Sequence, residues 1–206
     1  MRRLPLLAPL CLAAGIASHA AIAQDGAERA PQTTLLKALT VDLNGDRGSN
    51  IYRAIWHDVF DQELALRQRL SERTKRPPVL TTDVFAAAFA VPDGEIIVSA
   101  TDTGNGCQSY TNIGLPSSLM TCPMKVALVH DHEPKIIYSS DSFAFSIGVD
   151  SEGKFENENP ENRTAVTFDP VKKMLSTRLF EAGQPANTRV EGFNPNADNS
   201  QIYLKY

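Results

Sequence analysis

Pro77-Pro78 divides this sequence into two textures, and that boundary constrains the fold more than any other feature. The residue before a proline is pushed away from helical geometry, so a helix is not expected to cross the pair. Upstream, apolar residues recur at helical spacing. At 100° per residue, Ile51, Ile55, Val59, Leu66 and Leu70 fall on one stripe, flanked by Tyr52, Trp56 and Phe60. The spacing predicts one amphipathic helix over residues 50–73, capped by Ser49 or Asn50. Ile55 and Val59 are expected in the core, and His57 on the side away from it.

Downstream of the prolines the texture is that of strands. Residues 84–91 are apolar on both alternations, as in a strand covered on both faces. Pro92-Asp93-Gly94 is a turn leading into a second strand over 95–100. Further strands are expected over 125–129, 135–139, 143–149, 164–168, 174–180, 188–193 and 201–206. Connections of hairpin length favour antiparallel pairing. The expected class is therefore α+β: one long N-terminal amphipathic helix packed on a mostly antiparallel, meandering sheet of about eight short strands. Residues 24–48 are read as a flexible lead-in and 49–206 as a single α+β domain, a length sufficient for one core.

The compartment is legible at the start of the chain. Met1-Arg2-Arg3 is basic, residues 4–17 are apolar, and Ala21-Ile22-Ala23 is a small-x-small site. The apolar run is shorter than the ~20 residues of a membrane-spanning helix. Residues 1–23 thus read as a signal peptide, and the expected location is periplasmic or secreted. Cys11 as a lipid acceptor is a minor alternative, poorly served by the Pro9-Leu10 before it. Cleavage after Ala23 leaves 18 basic against 24 acidic residues, a net charge of −6. Such a chain repels nucleic acid and anionic lipid, and no integral membrane span is expected in it.

Cleavage also leaves two cysteines, Cys107 and Cys122, for which an exported chain implies a disulfide. Cys-x-x-Cys spacing is absent, which argues against a redox pair. Closing a loop of this size stabilises by about 3 kcal/mol in the chain-entropy model. The Gly/Ser/Asn-rich segment 101–123 would then be a partly ordered contact surface, with Asn105, Gln108, Tyr110 and Asn112 as its binding residues.

Other motifs argue against specific chemistry. Asp42-Leu43-Asn44-Gly45-Asp46 begins like a calcium loop, but Arg47 and Arg53 stand where glycine and a bidentate glutamate belong. His130-Asp131-His132-Glu133 offers two imidazoles in a turn and needs a third ligand from elsewhere. No metal or other cofactor is expected. The chain has no Gly-x-Ser-x-Gly or His-Glu-x-x-His pattern, and no catalytic residue is assigned. Carboxylates are plentiful, but a hydrolytic pair is defined by separation in space.

An exported, sheet-rich chain with a cysteine-bounded loop between strands resembles, in architecture alone, the small periplasmic inhibitors of lysozyme. That resemblance implies a non-enzymatic binding protein of the bacterial cell envelope, an inhibitor of a secreted hydrolase such as lysozyme, with a protein partner. A different class is an accessory component of an envelope secretion or conjugation machine, docking through the helix or a sheet edge. A periplasmic hydrolase ranks last.

Overall fold

The computed structural model describes residues 30–46, 48, 50–103, 106–109, 119–185 and 201–206. The expected signal peptide over 1–23 and the expected strand over 188–193 lie outside the described residues. Two strands, β1 (Gln32–Leu35) and β2 (Lys37–Asp42), precede two helices, α1 (Ile51–Ile55) and α2 (His57–Thr74). The strands β3 (Thr81–Val91), β4 (Gly94–Asp102), β5 (Gln108–Ser109), β6 (Leu119–His130) and β7 (Glu133–Ser146) follow. The short hairpin β8 (Gly148–Val149) and β9 (Phe155–Glu156) leads to β10 (Arg163–Asp169), β11 (Met174–Glu181), β12 (Gln184–Pro185) and β13 (Gln201–Tyr203).

The strands build a six-stranded sheet (β2, β3, β4, β6, β5, β7), a five-stranded sheet (β1, β10, β11, β12, β13) and the β8–β9 hairpin. All described pairs are antiparallel. The six-stranded sheet is the middle layer. On one face Val84, Ala86, Ile97, Ala127 and Val129 pack under Ile55, Trp56 and Phe60 of the helical layer. On the other, Phe85, Phe89, Ile96, Val98 and Val126 meet Val166, Phe168 and Leu175 of the second sheet. Phe89 and Phe168 bring ring centroids to 5.8 Å across that interface. β3 is thus apolar on both alternations because helices cover one face and a sheet the other.

The expected class, α+β with one long N-terminal amphipathic helix on a single meander of about eight short strands, is corrected. The protein is mostly β, with two helices and several antiparallel sheets. Two buried faces on the middle strands need two covering layers, which one helix cannot supply. The helical segment also breaks at Trp56, whose ψ of 17° departs from helical geometry. The indole explains the break. Its Nε1 donates to Ser99 Oγ at 3.0 Å in the buried interface, and the Ile55 carbonyl freed by the break accepts from Lys125 Nζ at 3.2 Å.

The break shifts the buried stripe by about one residue, or 100°. Ile55 is buried, but Val59 is only half-buried, while Leu66 and Leu70 are exposed. Trp56, Phe60, Glu63, Leu64 and Arg67 face inward instead. His57 is exposed, as its angle predicted. Within the lead-in over 24–48, where residues 33–41 could be read as a short helix or strand, the chain forms β1 and β2, with Leu36 and Val41 in the cores. The free edge of β2 is partly closed by Asn157, whose amide accepts from Ala38 N (2.6 Å) and donates to Ala38 O (3.0 Å). Gly94 closes the β3–β4 turn at φ 130°, where a Cβ would sit 2.0 Å from Val129 O. Among the described residues, no helix is long and apolar enough to cross a membrane.

Candidate functional site

The helices are held at one end by charge and aromatic contact. Arg53 is buried, donating to Gly45 O (3.3 Å) and to the Asp61 carboxylate. Its target Gly45 lies in the turn that begins like a calcium loop. There Asp42 Oδ1 accepts from Asn44 N at 2.8 Å, so this turn is closed by its own backbone and a guanidinium. Lys125 lies over the Trp56 ring at 4.8 Å and donates to Asp58 Oδ1 at 2.8 Å. Partial burial pushes the Asp58 carboxyl up, but the Lys125 hydrogen bond and charge, together with backbone hydrogen bonds from Val59 and Asp58, outweigh it, and the net displacement is downward.

The other end of α2 is different. Arg67 Nε donates to Glu63 Oε1 at 2.7 Å, one helical turn away. Its Nη1 donates to Val79 O (3.0 Å) and Thr81 O (2.7 Å), pinning the chain as it returns from Pro77-Pro78 to β3. Between this half of α2 and the end of the β3–β4 pair lies an open groove of about 700 Å³. Its walls include Leu66, Leu70 and Val79, which are 39%, 46% and 66% exposed.

Two aspartates also line the groove. Asp83 and Asp102 are direct cross-strand partners in the β3–β4 ladder. Asp83 Oδ1 accepts from Thr40 Oγ1 at 3.1 Å. The Asp102 carboxyl is raised above its ordinary value, first by burial and then by the charge of Asp83; Arg67 opposes this and Glu63 adds to it. A second groove of about 570 Å³ runs along the other flank of α2 and reaches Thr103.

Thr103 begins the segment leading to the disulfide. Cys107 and Cys122 are bonded, with Cα atoms 4.2 Å apart. The Gln108–Thr121 register sets them opposite each other on β5 and β6, and Cys122 is buried between the sheets. The expected loop over 101–123 is shorter than its reading at both ends, since 101–102 belong to β4 and 119–122 to β6. Of the expected binding residues, Gln108 is exposed on β5; Asn105, Tyr110 and Asn112 lie outside the described residues.

The histidines do not converge. Asp131 and His132 form the β6–β7 turn at φ 49° and 67°, with His130 opposite Glu133. His130 Nδ1 lies 3.0 Å from Asp93 O, and His57 Nδ1 lies 3.1 Å from Ala54 O on the helices. Among the described residues no group of three His, Cys, Asp or Glu side chains is placed to hold a metal ion.

Sequence reasoning missed Glu63, Leu66, Arg67, Leu70, Asp83 and Asp102 as one site. The Glu63–Arg67 spacing was a signal for their pairing. The two aspartates carried none, since their meeting depends on the β3–β4 register. The fold and site define a disulfide-linked, three-layer β protein with an open groove beside its longer helix. No family model, curated protein or solved structure matches the chain.

Proposed function

We propose that this is an exported binding protein of the bacterial cell envelope, and that it holds a partner protein where α2, the 77–83 return and the end of the β3–β4 pair meet. The observation that carries this reading is the groove, with large apolar side chains left in water along an open wall. Contiguous exposed apolar surface rimmed by polar groups is characteristic of interaction sites. The disulfide supports the compartment, because such bonds persist outside the reducing cytoplasm. Inhibition of a secreted hydrolase such as lysozyme is the specific form favoured.

The test is cross-linked co-purification of the tagged protein from the exported fraction, alongside a lysozyme assay with the purified protein in excess. A hydrolase retained by the wild type and lost on Leu70→Asp supports the reading. Retention of the same proteins by wild type and L70D would remove the groove from it. A solvent-exposed Ile55 would have raised the accessory-component reading above the inhibitor, and Ile55 is buried.

One observation favours a second reading, a hydrolase: Asp102, raised in pKa, lies beside Asp83 in the same groove. Two carboxyl groups in one site, one of them raised, are the starting point for the acid and base roles a glycosidase divides. Cleavage of a cell-wall polysaccharide by the purified protein, abolished by Asp102→Asn, would establish it.

A further inference from the structure

We propose that the groove takes a basic–apolar segment of a partner protein: an arginine or lysine set against Asp83 and Asp102, beside an apolar side chain lodged on Leu66 and Leu70. This rests on the binding-protein reading and names the chemistry its partner presents.

The argument starts from the placement of the two aspartates. Directly opposed residues of an antiparallel pair hold their Cβ atoms about 4.5–5.5 Å apart, and like charges there repel. The flanking backbone is tied in place. Thr101 Oγ1 donates to Asp83 O at 3.2 Å, and Thr82 Oγ1 donates to Asp102 O. The strands therefore cannot easily turn the carboxylates apart.

The charges facing the pair are few. From α2 come Glu63 and Arg67, and from the return segment Arg76. Arg67 is already matched by Glu63, and its other contacts go to the Val79 and Thr81 carbonyls. Arg76 is exposed on the rim. Three carboxyl groups, Glu63, Asp83 and Asp102, thus line the groove with two guanidiniums, Arg67 and Arg76, and the lining carries one surplus acidic group. The raised Asp102 carboxyl is consistent with that imbalance.

The walls narrow the choice further. A bare cation would leave Leu66, Leu70 and Val79 in water. A neutral apolar segment would cover them and leave the aspartates uncompensated. A basic residue next to an apolar one satisfies both, the basic side chain laying its methylene stem on the wall and its charge on the floor. The acidic chain as a whole, at net −4 even with its basic leader, steers the encounter the same way.

The probe is an acetylated, amidated peptide, Ala-Leu-Arg-Leu-Ala, titrated into the ¹⁵N-labelled mature protein. The controls carry glutamate or neutral citrulline in place of arginine. The expected result is amide shifts at Leu66, Leu70, Asp83 and Asp102. Citrulline should weaken binding about tenfold, the size of one charge-assisted contact, and the glutamate peptide should not bind. Asp83→Asn with Asp102→Asn should erase the preference for arginine, whereas Leu70→Ala should weaken the arginine and citrulline peptides alike. Equal binding of the arginine and glutamate peptides, or a preference surviving the double variant, overturns the proposal. So does self-association in sedimentation that the double variant abolishes, which would assign the groove to a second copy of this chain.

The same double variant in the cross-linking experiment separates this inference from the broader one. A partner held equally by wild type and variant leaves the binding-protein reading standing and removes the groove chemistry. If the wild type retains no partner, the broader reading fails, and this inference fails with it.

Discussion

The Trp56 end of the helical layer and the Thr74 end differ in what holds them. At the first, Trp56 and Phe60 are buried, Arg53 ties the helix to the Gly45 carbonyl, Lys125 satisfies the Ile55 carbonyl freed by the break, and Lys125 is paired with Asp58. At the second, Leu66 and Leu70 are exposed, and Arg67 ties the helix to the returning chain. A helix derives most of its stability from packing of its apolar face. The first end therefore carries stability, and the second is free to carry recognition. The carboxylates follow the same division, with Asp58 displaced downward and Asp102 upward.

The largest test of this contrast is a pair of truncations. Phe60→Ala should cost about 3–5 kcal/mol in urea unfolding, the range for a fully buried aromatic. Leu70→Ala should stay within about 0.5 kcal/mol, as at an ordinary surface position. A cost at Leu70 comparable to that at Phe60 would break the comparison.

The disulfide comes next. Cys107→Ala with Cys122→Ala should lower stability by about 3 kcal/mol on the chain-entropy estimate. Hydrogen exchange should rise first in β5 and the start of β6, where the bond joins the two strands. Uniform loss of protection across both sheets would mean that the bond stabilises the whole sandwich instead.

Lys125→Met should cost about 1–3 kcal/mol, the penalty for leaving a buried acceptor unmatched. It also carries a pH signature. A carboxyl lowered by folding stabilises above its unfolded pKa, and that contribution is lost as pH falls through the folded value. Lys125 supplies part of that lowering at Asp58, beside the backbone amides of Val59 and Asp58 itself. The variant should therefore lose less stability than the wild type below about pH 4.

The smallest effect has the opposite sign. A carboxyl raised by folding favours the folded state at low pH, and that contribution is lost as pH rises through the folded value. Asp102→Asn should therefore raise stability at neutral pH by roughly 0.2–1 kcal/mol, the size of a cross-strand charge pair. The gain should vanish below about pH 4, where the wild-type carboxyl is protonated. A loss of stability at neutral pH would mean that Asp102 is already matched by a cation in the free protein.

The site was less legible than the elements that build it. The strands flanking Pro92-Asp93-Gly94 could be read from alternation and turn chemistry, and they stand as β3 and β4. The stripe through Leu66 and Leu70 was misassigned. Helical periodicity assumes an unbroken phase, and the break at Trp56 is imposed by Ser99 and Lys125, residues distant in sequence. The groove was invisible for a related reason. Asp83 and Asp102 look like two ordinary polar residues until the β3–β4 register sets them opposite each other.

By itself the sequence determined what local chemistry controls. Pro77-Pro78 ends the helical segment, Gly94 makes the turn that no Cβ would permit, and β3 is apolar on both faces. The cysteine pairing also followed from the sequence once Cys11 was read as part of a signal peptide, and Cys107 and Cys122 are bonded. The tertiary structure decided how many layers would cover β3, where the helix breaks, and which leucines stay in water. Periodicity names the faces that need burial, but it does not say which surface buries them. That choice belongs to contacts such as Trp56 with Ser99 and Phe89 with Phe168, made between segments far apart in the chain.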